Sequence, residues 1–282
     1  MYAVLNRYHT PTVPVETLIT VGASGADYTT IAAALTAAAG ATLVNPYRIY
    51  IFNGTYAEVD LAGDDYITVQ GESKAGVIIQ ASLAEEDLTK DVWKINKTMT
   101  LQDLTLSANN VKYCVHDDSA GAHTLTLNNV HLKHATCFPL GCGMRGGQHI
   151  VLTDCTFEKA GANVPFGTVG AFGIFWHNWN DQASGASLTV TRGTFVNCGV
   201  ANLYELGSEQ VDLCAFYDCE TDDETKGIVQ TATAYYWDGG EHDIQDVPYS
   251  ISPMVSGGTM PLPIAYDADE RPLTPNYWYV EA

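Results

Sequence analysis

Basic residues are scarce in this chain. Only 13 lysines and arginines stand against 33 aspartates and glutamates in 282 residues, a net charge of −20. Binding nucleic acid requires a basic face, so no nucleic-acid partner is expected, and anchoring on anionic lipid is excluded with it. No run of about eighteen apolar residues occurs, so no membrane-spanning helix is expected. The opening MYAVLNRYHTPTVPVET has neither a charged n-region nor an apolar h-region, and no cleaved signal peptide is expected from it. The 7 cysteines form no C-x-x-C pair and show no metal-finger spacing. Cys155 fills an apolar slot, and Cys198 and Cys219 each follow a phenylalanine by three residues. Buried reduced thiols, compatible with assembly in a cytoplasm, are the expectation.

What the chain does have is a repeated hydrophobic phrase: apolar, any, apolar, two polar or small residues, apolar or small, any, apolar. It reads Met99, Leu101, Leu104, Leu106; then Leu125, Leu127, Val130, Leu132; then Ile150, Leu152, Cys155, Phe157; then Leu188, Val190, Gly193, Phe195. A degraded copy runs Val211, Leu213, Phe216. Leu101, Leu127, Leu152, Val190 and Leu213 are separated by 26, 25, 38 and 23 residues, and the long interval places an insertion near 161–186. Period-two alternation means strands, and a strand phrase returning at this interval describes the coils of a parallel β-helix. A solenoid grows by stacking, so one all-β domain is expected over 22–247.

The ends have a different texture. Residues 28–40, YTTIAAALTAAAG, predict a short capping helix near 29–39, with a threonine start and a glycine stop. YRIYIFNGTYAEVDL predicts a strand, an Asn-Gly turn and a second strand. Residues 1–21 read as an N-terminal arm. Residues 248–282 carry six of the 11 prolines, which remove ladder donors, and read as a C-terminal arm. Arms at both ends predict assembly, with a homotrimer expected.

GADYTTIAAALTAA, YRIYIFNGTYAE and ITVQGESKAGVIIQ, within residues 22–80, resemble the opening of the pectin methylesterase family. The resemblance implies a right-handed parallel β-helix. In that family a phrase like F-x-N-C precedes a strand bearing a nucleophilic aspartate. FVNCGVANLYELG has Asn202 near that place, and the family's acid-base aspartate and arginine-tryptophan motif have no counterpart. YCVHDDS, LGCGMRGGQ and FGIFWHNW are similar in style to β-helix proteins of bacteriophage tails and other virion appendages.

A second strand family lies between the phrases. Aligning YCVHD, GCGMRG, IFWHN and LYELG turns Val115, Met144, Trp176 and Leu206 inward, and His116, Arg145 and His177 outward as one column, with Glu205 near it. Asp117, Asp118 and Asn178 lie beside the column, Trp179 is available for stacking, and Gly141, Gly143 and Gly173 keep the floor low. Such a groove suits a sugar. As a catalytic site it would use His116, Asp118, Arg145 and His177 for acid-base work and anion stabilisation. The same residues also read as the solvated outer face of a sheet. His131 and His134 flank Leu132, one pointing out and the other near a corner, so no zinc site is expected from them. Structural calcium at Asp64 and Asp65, at Asp222, Asp223 and Glu224, or at Asp267, Asp269 and Glu270 is the one cofactor admitted.

These features lead to an expectation of a virion β-helix spike or fibre, assembled in a host cytoplasm, displayed on the virion surface with other virion proteins, and binding host surface polysaccharide. The alternatives are a secreted carbohydrate esterase or polysaccharide lyase, and a purely structural capsid or tail decoration protein.

Overall fold

The computed structural model describes residues 15–144, 146–158, 172–178, 185–196, 199–202, 208–212 and 215–217. Among them, strands form three parallel sheets of eight, seven and five strands. From Ile67 to Asn202 each turn of the chain contributes one strand to each sheet in turn. The result is a right-handed parallel β-helix, the hand that crossovers between parallel strands of one sheet take.

In the first sheet, Ile19, Ile49, Val69, Leu101, Leu127, Leu152 and Val190 are ladder partners in successive coils and all are buried. The expected stacking of Leu101, Leu127 and Leu152 is therefore present. The degraded copy is corrected by two residues: Val190 pairs with Val211, not Leu213. In the second sheet Tyr56, Ile79, Leu106, Leu132, Phe157 and Phe195 stack in the same way, the last two with ring centroids 4.9 Å apart. Because every inward residue meets its own counterpart one coil away, a phrase that repeats in sequence becomes a column in space.

The corner between the first two sheets is tight. Asp103, Asn129, Asp154 and Arg192 each take a left-handed backbone conformation there, with φ between 53° and 56°. Asn and Asp tolerate this region because their short side chains bond locally. They also pair along the corner: Asn129 Nδ2 donates to Asp103 Oδ1 at 2.8 Å, and Arg192 forks onto Asp154 through two 2.7 Å bonds. One coil earlier the chain has Gly71, where a Cβ would lie 2.2 Å from the Asp103 carbonyl oxygen.

The cap is helix α1 (Ile31–Ala37), which buries Ile31, Ala34 and Leu35. Thr30 Oγ1 accepts from Ala33 N–H at its start. The Glu58 carboxylate accepts from Ile31 and Ala32 N–H at 2.7 and 2.8 Å, satisfying donors that a helix start leaves open. One expectation is corrected here. Residues 17–21 are not arm but the strand Thr17–Val21, whose alternating TLITV pattern adds it to the first sheet. The two strands expected on either side of Asn53 form as Tyr47–Ile51 and Gly54–Ala57, in different sheets. The remaining N-terminal segment and the C-terminal arm lie outside the described residues.

Candidate functional site on the third sheet

The third sheet runs through Trp93–Lys94, Tyr113–Asp117, Phe138–Met144, Phe172–Asn178 and Gly199–Asn202. Its inward column is Trp93, Val115, Leu140 and Ile174, and the ladder continues from Ile174 to Val200. This corrects the sequence alignment, which set Met144 and Trp176 beside Val115. The glycines of FPLGCGM carry no apolar mark, so alternation could be counted from Met144 as easily as from Leu140. Leu206 lies outside the described residues.

The shifted register disperses the expected column. His116 has Lys94 and Gly141 as ladder partners, and Gly141 in turn pairs with Phe175, whereas His177 pairs with Gly143 and Asn178 with Met144. His177 therefore sits two residues further along the sheet than His116. Asn202 pairs with Trp176. Arg145, Trp179 and Glu205 lie outside the described residues.

Around His116 the structure builds a compact polar cluster. Its Nδ1 lies 2.9 Å from Asp91 Oδ2 and its Nε2 lies 2.9 Å from Asp118 Oδ2. A carboxylate only accepts, so both ring nitrogens carry hydrogen and the ring is an imidazolium. Burial works against that charge, but the hydrogen bonds and charges of Asp118 and Asp91 outweigh it and raise the imidazole pKa to about 9. Asp91 is 2% exposed, and its Oδ1 has no hydrogen-bond partner among the described residues. Asp118 is the cluster's outlet, with its side chain 31% exposed. On the neighbouring coil Asp60 takes Lys90 Nζ at 2.6 Å and Lys94 Nζ at 2.8 Å.

The flank of the cluster is aromatic. The Tyr113 ring lies 4.5 Å from that of His116, and Phe138 and Phe175 stack at 4.4 Å in a cluster apart from the main core. Burial, then the nearby acidic groups, push the Tyr113 phenol well above its usual range. The expected glycine floor is filled at Gly141, where a Cβ would meet the Tyr113 ring at 2.8 Å. Gly141 is thus the seat of an aromatic ring rather than part of an open groove.

Asp117, expected on the surface beside His116, points inward and is fully buried. Its Oδ2 accepts from His123 Nε2 at 2.7 Å, and its Oδ1 takes Ser119 N–H and Oγ at 3.3 and 3.1 Å. His123 Nδ1 meets Gly121 O at 3.1 Å, which leaves Ser119 without a free base. Burial lowers the His123 pKa, and the Asp117 contact more than restores it, so the net shift is upward. Gln148 closes the cluster by donating to Ser119 O.

Sequence reasoning missed Asp91, Tyr113 and His123. Asp91 could have been found from DVWKIN, which stands one coil before YCVHD and supplies Trp93 under Val115. Of the weaker candidates, His131 pairs with Glu158 at 3.0 Å and His134 with Ser107 at 3.1 Å, so they do not converge. Asp64 accepts from Gly40 N–H; Asp65 accepts from Thr98 N–H and faces Lys97 at 3.6 Å. Among the described residues no group of three or more His, Cys, Asp or Glu could hold a metal ion. The other two acidic clusters lie outside them. The four described cysteines, Cys114, Cys137, Cys142 and Cys155, are buried free thiols.

The sequence matches no family model and no curated protein. Solved structures do match. A pectin methylesterase in complex with a hexasaccharide is 16% identical, over 73% of this chain and 67% of that one, with a TM-score of 0.43. The pectin methylesterase of Erwinia chrysanthemi is 14% identical over 77% and 94%, with a TM-score of 0.35. The ORF18 protein of Geobacillus virus E2 is 10% identical over 62% and 49%, with a TM-score of 0.25. The fold rests on the strand register described above, and no residue role is carried over from likenesses this weak.

Proposed function

We propose that this β-helix is an adhesive spike or fibre of a virion, holding a host surface glycan on the outer face of its third sheet without cleaving it. The observation that carries the reading is the state of His116. A ring that donates from both nitrogens, with a pKa near 9, takes no further proton at neutral pH and is a poor general base. Asp117, the other nearby carboxylate, is spent on His123 inside the coil. What remains at the surface is Asp118, an acceptor fixed by a charged partner, of the kind that orients a sugar hydroxyl.

A carbohydrate esterase is the second reading. It is favoured by Asp118 itself, since a partly exposed carboxylate steadied by an imidazolium is also a way to hold a nucleophile. Calorimetric titration with acidic and acetylated surface polysaccharides tests the first. Saturable binding is expected, weakened about tenfold or more in Asp118→Ala and in Arg145→Lys, which loses the bidentate fork; melting should be little changed in Arg145→Lys and lowered in Asp118→Ala, which strips His116 of one of its two charged partners. Absence of binding to every glycan tried would reduce this face to solvated sheet.

A further inference from the structure

Six large hydrophobic side chains stand exposed among the described residues, and five of them belong to the opening of the first three coils of the first sheet: Val15 (77%), Leu18 (60%), Leu43 (66%), Val44 (65%) and Tyr66 (40%). The first coils explain the gathering. Val15 leads into Thr17–Val21, Leu43 and Val44 lead into Tyr47–Ile51, and Tyr66 leads into Ile67–Gly71. Backbone bonds tie these strand starts side by side: Thr17 N–H to Pro46 O at 2.9 Å, Tyr47 N–H to Tyr66 O at 3.1 Å, and Tyr66 N–H to Thr98 O at 2.7 Å. Leu18 heads an outward column that continues through Arg48, Thr68, Thr100, Thr126, Val151 and Thr189.

We infer that this face of the first sheet is where a second copy of the chain packs. Its charges are internally paired. Glu16 meets Arg48 at 2.8 Å, Asp65 meets Lys97 at 3.6 Å, and Asp64 and Asp65 cap backbone N–H groups. Below Arg48 the column through Thr189 holds no charged residue. On a chain of net charge −20, copies repel across a carboxylate-rich surface, so they approach at least cost where no unpaired acid stands. An exposed apolar cluster rimmed by neutral polar residues has the anatomy of an interface, with an anchor and a compatible surround.

The dimensions agree. Eight strands about 4.8 Å apart and five residues rising about 3.3 Å each give a footprint of about 630 Å² in projection. With side-chain relief this is on the scale of the roughly 800 Å² per partner that stable interfaces cover. Identical faces brought together make a closed, self-complementary contact.

Sedimentation of the full-length chain at micromolar concentration tests the inference. The expected mass is twice 30.4 kDa, unchanged or favoured by added salt. The double variant Leu18→Glu/Val44→Glu should sediment at 30.4 kDa with a wild-type circular dichroism melt, while Ala37→Glu, on the exposed end of α1, should stay assembled. If the glutamates prevent folding, Leu18→Thr/Val44→Thr reads the same surface while keeping strand propensity. A monomeric wild type would overturn the inference. Assembly that survives both double variants would overturn it equally and move the contact to residues 1–14 or 248–282. Neither outcome bears on glycan binding, which is read separately.

Discussion

Raising the pH should destabilise this protein through its two buried histidine clusters before any thiol titrates. His116 has a folded pKa of about 9 against an ordinary value of 6.5. The charged form is favoured by folding, so its stabilisation is fully present below pH 6.5 and is lost as pH rises through 9. Between these values the folded state holds one proton that the unfolded state has released. Stability therefore falls by about 1.4 kcal/mol per pH unit, or about 3 kcal/mol across the window. His123, also raised, adds a slope of the same sign. His131 is held below its usual value by burial, so it acts below pH 6.5 and stays out of the window. The buried thiols act later. Burial pushes Cys114 and Cys155 up to about 12, and they cost stability once unfolded thiols ionise, above roughly pH 8.5. Urea unfolding at half-unit steps from pH 6 to 8.5 measures the slope, and His116→Gln should lower it by about 1.4 kcal/mol per pH unit. Stability flat with pH in the wild type, or His116 titrating near 6.5 by nuclear magnetic resonance, would refute the assignment of His116 as a clamped imidazolium.

Three further perturbations follow from the packing. Leu127→Ala opens a cavity in the middle of the inward column and should cost about 2–5 kcal/mol in urea unfolding, while Leu127→Asp, an unpaired charge in the same place, should prevent folding. Asn129→Val forces a β-branched residue to φ near 55° and should cost about 1–3 kcal/mol, whereas Asn129→Gly should lose little beyond its bond to Asp103. Gly141→Ala drives a methyl against the Tyr113 ring and should cost about 1–3 kcal/mol while shifting the His116 ring resonances, since the two rings touch.

The fold was legible because a solenoid writes its contacts as repeats. Leu101, Leu127 and Leu152 could be placed in one column from spacing alone, and YTTIAAALTAAAG announced its own cap. Legibility failed where the repeat carries no apolar mark. In FPLGCGM the glycines allowed a four-residue slip, and the register sets His116 and His177 two residues apart along the sheet instead of in one column. Alternation also says which way a side chain leaves a strand, but not whom it meets. Asp117 was known to lie beside His116, yet its inward turn to His123 depends on a residue six positions later at the start of the next strand. Asp91 lies in a segment without the apolar phrase, so the partner that fixes the charge of His116 shows in the sequence only once DVWKIN is set one coil before YCVHD.

The central claim is that the third-sheet face holds a glycan and does not cut it. The most direct measurement is product release: incubation with pectin, alginate and host surface polysaccharide at neutral pH, followed by assay for methanol, acetate and unsaturated chain ends. The account predicts no product above a protein-free blank from any polysaccharide that binds. Product formed by the wild type and abolished by Asp118→Asn or His116→Ala would contradict it and make the cluster of Asp91, His116 and Asp118 an active site.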